Sequence, residues 1–222
     1  MKKMKISQLV LLGLSLGSIA FVEQLVSADQ TEGTISFIAG TDVTPPLDPL
    51  DPDNPSPPTY PDNPPTGNAG PLSLDSVPNI RFGSQERSSA IQFINAQNKV
   101  SFTQVTDNRG TGEGWELKAK ISPFTSPSGD QLEGARLAFS NGLLKTQSTN
   151  PSDPPQFSNV VLSPEYKTFT AADAGKGKGT WLTTFEGEEG NNSNIKLQVY
   201  PGTADENAEY KAMITWELST AP

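Results

Sequence analysis

The sequence predicts an all-β protein: an antiparallel β-sandwich, with a barrel-like variant as the alternative. Apolar and polar residues alternate in several short segments, and stretches rich in Gly, Pro, Asn, Asp and Ser separate these segments. No stretch carries a long helical period. The 222 residues, of which 34% are hydrophobic, fit one modest globular domain with additional segments.

Strand alternation is clearest in the segment WELKAKI, residues 115–121. Trp115, Leu117, Ala119 and Ile121 fall on one face of a strand, and the charged residues between them fall on the other. The same period predicts four further strands, within residues 134–139, 180–185, 195–199 and 210–218.

Weaker patterns mark three other segments. TISFI, residues 34–38, alternates around Ile35 and Phe37 and predicts one strand near the N-terminus. Residues 87–97 and 155–166 are ambiguous, because strands and short helical turns both fit their composition.

Residues 1–28 predict a secretory signal peptide. A basic start, MKKMK, precedes an apolar run, and Val26 and Ala28 supply the small residues of a cleavage site. The alternative is an uncleaved membrane anchor, but Glu23 and Gln24 interrupt the apolar run and favour cleavage. We therefore expect a secreted protein with no membrane span after cleavage, in which residues 29–222 form a single β domain.

A Pro/Asp-rich segment follows at residues 41–71. Residues 41–72 hold eleven of the twenty prolines and five aspartates, but no Lys or Arg. Because such a segment has few backbone donors and little to bury, its composition predicts a disordered, extended loop or linker. It either links an N-terminal tail to the domain or forms a long loop inserted after the first strand, and the strand-like TISFI favours the insertion.

Charge and missing residue types exclude several classes of function. Removing residues 1–28 takes away three lysines and one glutamate, so the formal net charge changes from −9 to −11. Such an acidic chain is a poor ligand for nucleic acid, and charge alone would not hold it on anionic lipids or wall polymers. The absence of His and Cys excludes Ser-His-Asp and Cys-His nucleophiles, and zinc or haem held by those ligands.

Catalysis by carboxylates and binding of cations through oxygen ligands remain possible, but no motif in the sequence identifies either. The acidic stretches DPLDPDNP and EGEEGNNSN do not have the spacing of an EF-hand loop, so no metal or cofactor is predicted. A glycosidase needs two carboxylates at a fixed separation. The candidates are Glu113, Glu116, Glu133 and Glu217, but nothing in the sequence pairs them. Glu116 and Glu217 should point away from the tryptophan-bearing strand faces.

The pattern Trp-x-Leu occurs twice, at Trp115-Glu116-Leu117 and Trp216-Glu217-Leu218, and uses two of the three tryptophans. Residues i and i+2 of a strand share a face, so each motif presents a large aromatic beside a branched aliphatic residue. Their same-face neighbours are apolar, which favours core packing over an exposed aromatic platform for a sugar or peptide.

Two glycine-rich loops accompany these strands. DNRGTGEG, residues 107–114, leads into the first motif; Gly110 and Gly114 allow positive φ or a close backbone approach. Asp107 and Arg109 either brace this turn or touch a ligand, and we favour bracing. AGKGKGT, residues 174–180, lacks the spacing of a phosphate-binding loop and predicts a flexible basic turn.

With these motifs taken together, the chain resembles the WxL-domain surface proteins of low-GC Gram-positive bacteria. The resemblance covers most of the predicted mature chain. The segments that carry it are GTISF, DPLDPDNP, SVPNIRFGSQ, VTDNRGTGEGWELKAK and YKAMITWELSTAP. The family motif falls on Trp115, Leu117, Trp216 and Leu218, as ligand-binding or structural residues.

The resemblance implies a non-catalytic module that binds the cell wall non-covalently, through peptidoglycan, at the cell surface. It also implies other exported surface proteins as partners in one assembly. Two alternatives stay open: a host-surface adhesin subunit, and an exported carbohydrate-active enzyme that uses carboxylates.

Overall fold

The computed structural model describes residues 31–58 and 60–221, and the predicted signal peptide lies outside them. Residues 37–222 form one compact unit, to which all the strands below belong. In the described residues there are twelve strands: β1 Leu72–Ser76, β2 Gln92–Ala96, β3 Val100–Asp107, β4 Trp115–Ile121, β5 Arg136–Phe139, β6 Leu143–Lys145, β7 Gln156–Phe157, β8 Val160–Val161, β9 Lys167–Ala172, β10 Gly179–Glu186, β11 Asn192–Val199 and β12 Ile214–Thr220.

The strands form three four-stranded sheets, and every pairing is antiparallel. Sheet I has the order β1-β3-β10-β6, sheet II the order β2-β11-β5-β8, and sheet III the order β12-β4-β9-β7. Each sheet is open and has two edge strands. The prediction of an all-β antiparallel sandwich is therefore confirmed.

One apolar core lies between the three sheets, because strands of each contribute side chains to it. At its centre are Phe139, Phe157, Phe169 and Phe185, which pack edge to face with ring centroids 5.2–5.8 Å apart. Edge-to-face contact places the positive ring edge against the negative ring face. These rings join sheet II to sheets I and III, since Phe139 belongs to β5, Phe185 to β10 and Phe169 to β9.

The prediction of a strand at residues 34–38 is wrong. No strand or bridge includes these residues, and Phe37 and Ile38 are 87% and 95% exposed. Alternation makes a strand only where a neighbouring strand pairs with its backbone, and this segment has no such neighbour among the described residues. The Pro/Asp-rich segment consequently precedes the first strand of the sandwich instead of interrupting it.

The Pro/Asp-rich segment is hydrogen-bonded to the outer face of sheet I. The buried Gln104 side chain accepts from the Leu47 amide at 2.7 Å and donates to the Pro45 carbonyl at 3.1 Å. Asn63, also buried, donates to the Val100 carbonyl and accepts from the Phe102 amide, so its side chain pairs with β3 beside the end of β1. In these contacts the sheet both accepts from the segment and donates to it.

Sheet I is thereby buried on both faces. Phe102 and Leu182 are fully buried on the side away from the central core. Every residue of β3 is buried, polar and apolar alike. The sandwich thus uses the Pro/Asp-rich segment as a cover over one of its sheets.

Candidate functional site

The two Trp-x-Leu motifs lie side by side on neighbouring strands of sheet III. Strands β4 and β12 pair so that Leu117 stands opposite Leu218, and Trp216 stands opposite Ala119. A large residue opposite a small one allows both strands to face the core without crowding. The C-terminal strand therefore lies directly beside residues 115–121.

Trp115 is fixed in the core. It is 1% exposed, and its indole Nε1–H donates to the carbonyl oxygen of Gly177 at 2.9 Å. Gly177 has φ +66°, and a Cβ there would stand 2.8 Å from Nε1 of the indole. Leu117 is fully buried beside it. Both side chains therefore lie in the core, on the face where the strand alternation places them.

The second motif faces the same core from the edge of the sheet. Trp216 packs edge-on against Phe169, with centroids 4.8 Å apart and an interplanar angle of 85°. Trp216 and Leu218 are half-buried, because β12 is an edge strand with no neighbour beyond it among the described strands. Glu217 between them is exposed, as its strand position predicts.

The Asp107–Arg109 loop braces the first motif, as the sequence analysis favours. The Arg109 guanidinium donates to both carboxylate oxygens of Asp107, from Nε at 2.9 Å and from Nη2 at 2.8 Å. Nη2 also donates to the Gly114 carbonyl at 2.7 Å. Hydrogen bonding to Asp107 raises the pKa of Arg109, so the guanidinium stays charged. Since Asp107 is buried, this is a fork-shaped ion pair largely shielded from water.

The same loop holds the C-terminal strand. Arg109 Nη1 donates to the Thr220 hydroxyl at 3.1 Å, and the Ala221 amide donates to the Gly114 carbonyl at 3.3 Å. Gly110 and Gly114 both adopt positive φ. At Gly114 a Cβ would lie 2.3 Å from the Ala172 carbonyl oxygen, so only glycine fits. The loop therefore joins the beginning of one motif strand to the end of the other.

The segment 174–180 has a structural role that its composition does not predict. Its Gly177 carbonyl receives the Trp115 indole, and its Lys178 carbonyl receives the Trp181 indole at 3.0 Å. Two of the three tryptophans therefore donate their indole N–H to carbonyl groups of this turn. The signal in the sequence is the glycine at every second position, which permits a close backbone approach, but nothing in the sequence identifies the indoles as its partners.

The carboxylate of the first motif, Glu116, has partners on the outer face of sheet III. Glu116 accepts a hydrogen bond from the Thr168 hydroxyl, which lowers the pKa of Glu116, and it pairs with Lys118 at 3.1 Å. No group of three His, Cys, Asp or Glu side chains within the described residues is placed to hold a metal ion. The described part of the chain also contains no helix long and apolar enough to cross a membrane.

This arrangement of two Trp-x-Leu motifs matches a known family. The family model described as WxL domain, surface cell wall-binding, matches residues 24–222. Comparisons with curated proteins and with solved structures gave no match. The matched range contains both motifs, the bracing loop and the Pro/Asp-rich segment. The chain therefore belongs to the WxL domain family of surface cell wall-binding proteins.

Proposed function

We propose that this chain binds peptidoglycan non-covalently and without catalysis, and that it does so as one member of an assembly of exported surface proteins. The observation that carries the proposal is membership of a wall-binding family over residues 24–222. The predicted signal peptide at residues 1–28 supports export, and places the chain where wall polymers are accessible.

The geometry of the motifs supports a binding module. The Trp-x-Leu motifs lie on the paired strands β4 and β12 and pack into the core, so they build the framework of the domain. Recognition of a wall ligand is then left to exposed residues. The acidic chain would be repelled by anionic wall polymers, which favours the peptidoglycan itself as the ligand. Binding then depends on surface shape, stacking and hydrogen bonds more than on net charge.

A sedimentation assay tests the proposal. Purified protein is mixed with isolated peptidoglycan sacculi that have been stripped of wall polymers, at low and at high salt. We expect retention under both conditions, because salt screens ion pairs but leaves stacking and hydrogen bonds between uncharged groups in place. Loss of retention at both salt concentrations would contradict direct binding and would direct attention to a partner protein.

A second measurement separates binding from catalysis. The supernatant of the same mixture is analysed for soluble sugar or muropeptide fragments after prolonged incubation. A binding module releases none, whereas a carbohydrate-active enzyme would release fragments in proportion to time. Retention on host matrix by protein without affinity for sacculi would instead support the adhesin alternative.

A further inference from the structure

The outer face of sheet II differs from the outer faces of the other two sheets. Strand register places Phe93, Gln198 and Arg136 in one row across three strands. The next row holds Asn95 and Lys196. Side chains on the opposite face, such as the fully buried Ile195, point into the core. The two rows therefore form an open surface of one aromatic, two amides and two cations.

The aromatic residue in this surface is unusually accessible. Phe93 is 67% exposed, at the edge strand of the sheet. Contact of a phenyl ring with water is unfavourable, so a ligand that covers the ring gains free energy. Across the row, two strand spacings separate Phe93 from Arg136, a distance of roughly 10 Å. A short run of sugar rings fits this length.

The charge of the surface is opposite to that of the chain as a whole. None of the residues in β2, β5, β8 and β11 is Asp or Glu, although the chain carries a net charge of −9. Arg136 and Lys196 form no ion pair or side-chain hydrogen bond with any described residue. By contrast, Arg81 and Arg109 are each paired with an aspartate. The strands of this surface are therefore basic, with two cations available to a ligand carboxylate, and Glu133 is the one acidic residue among those that line the adjoining cleft.

The other two outer faces are occupied. The Pro/Asp-rich segment is hydrogen-bonded to that of sheet I. On sheet III the charged side chains have partners: Glu116 pairs with Lys118, and the Lys120 ammonium lies 4.5 Å from the centre of the Tyr166 ring. Among the described sheets, only sheet II combines an exposed aromatic with cations that have no partner.

A cleft adjoins this surface at its Arg136 end. It has a volume of about 690 Å³, and Arg136, Val161, Gly134 and Tyr200 are among the residues that line it. The cleft is shallow and open, so a ligand that lies in it keeps part of its surface in solvent. Gly134 stands against the half-buried Tyr200 ring, where a Cβ would lie 3.3 Å from the ring carbons. The row from Phe93 to Arg136 thus leads into a cleft bordered by a second aromatic residue.

We propose that the outer face of sheet II, together with this cleft, is the surface that binds the peptidoglycan strand. The inference rests on the proposed function and names the part of the molecule that performs it. Phe93 stacks on the apolar face of a sugar ring, and the Gln198 amide bonds hydroxyl and N-acetyl groups. Asn95 Nδ2 donates to Asn191 Oδ1 at 2.7 Å, so Asn95 offers its amide oxygen as an acceptor. Arg136 and Lys196 bind the carboxylates of the stem peptides.

Two substitutions test this assignment, Phe93→Ala and Arg136→Ala, with binding measured on sacculi, on a soluble disaccharide-peptide muropeptide and on chitotetraose. Truncation of a binding anchor raises Kd roughly tenfold. We expect Phe93→Ala to weaken binding to all three probes by about that factor. Arg136→Ala should weaken binding to sacculi and muropeptide only, because chitotetraose has N-acetyl groups but no carboxylates.

Met213→Ala and Lys120→Ala are the matched controls. Met213 is 73% exposed, and Lys120 is a cation on the outer face of sheet III, so each change resembles a test variant outside the proposed surface. All four variants should keep the wild-type Tm. Retention of both test variants at the wild-type Kd, or equal weakening of all four variants, would overturn the assignment while the proposed function stands. Failure of the wild-type protein to bind sacculi would overturn both.

Discussion

Replacement of Trp115 by alanine should unfold the domain well before it affects any binding surface. Removal of a fully buried Trp side chain costs about 3–5 kcal/mol through lost contacts and the cavity left behind. The buried Gly177 carbonyl also loses its indole donor, which adds about 1 kcal/mol. The total approaches the free energy of unfolding of an ordinary domain, roughly 5–15 kcal/mol.

Trp216 provides the internal comparison. Its side chain is half-buried at the edge strand β12, where solvent and neighbouring side chains can fill the space that alanine leaves. We therefore expect Trp216→Ala to cost about 2 kcal/mol, roughly half of the cost at Trp115. The exposed Met213→Ala should change the free energy of unfolding by less than about 0.5 kcal/mol.

Urea unfolding followed by far-ultraviolet circular dichroism measures all three variants, and sedimentation with sacculi is then carried out where each is still folded. Wild-type affinity of the folded fraction of Trp115→Ala would agree with a structural role. A Trp115→Ala protein with wild-type stability and lost retention would refute the argument, because it would place the indole in contact with the wall ligand.

Three further perturbations follow from the contacts around sheets I and III. Arg109→Ala leaves the buried Asp107 carboxylate without its partner and should lower the free energy of unfolding, measured in urea, by about 3 kcal/mol. Arg87→Ala, at an exposed position, is the control and should lower it by almost nothing. Equal effects of the two changes would contradict the bracing role. Burial raises the pKa of Asp75 above 3.8, so the folded protein holds this proton more tightly than the unfolded chain, and ionisation of Asp75 subtracts stability as the pH rises. The stability of the wild-type protein relative to Asp75→Asn should therefore increase as the pH is lowered from 7 towards 4, and a decrease over that range would show that the sign is wrong. Gln104→Ala removes two hydrogen bonds to residues 41–71, each worth about 1 kcal/mol, so local opening and cleavage of that segment by a protease specific for acidic residues should become at least roughly tenfold faster. Equal cleavage rates would show that the segment is not held by this contact.

The comparison of sequence with structure is most instructive at β3, Val100–Asp107. The sequence analysis does not identify this strand, because polar and apolar residues occur on both of its faces. Its Gln104 and Thr106 are buried and both form hydrogen bonds with Asp75. Gln104 is also hydrogen-bonded to the Pro/Asp-rich segment. No local period can reveal burial that depends on a segment so far away in the chain.

The sequence by itself determined the strand phase of β4 and of β12, since strict alternation fixes which side chains share a face. It also determined the family, because two Trp-x-Leu motifs and a glycine-rich Asp-x-Arg loop occur together. The tertiary structure decided that Trp115 is fully buried while Trp216 is half-buried, because the strand order of sheet III makes β12 an edge strand. It likewise decided that Phe93, Gln198 and Arg136 share one row, since register between distant strands depends on long-range hydrogen bonding that no local pattern encodes.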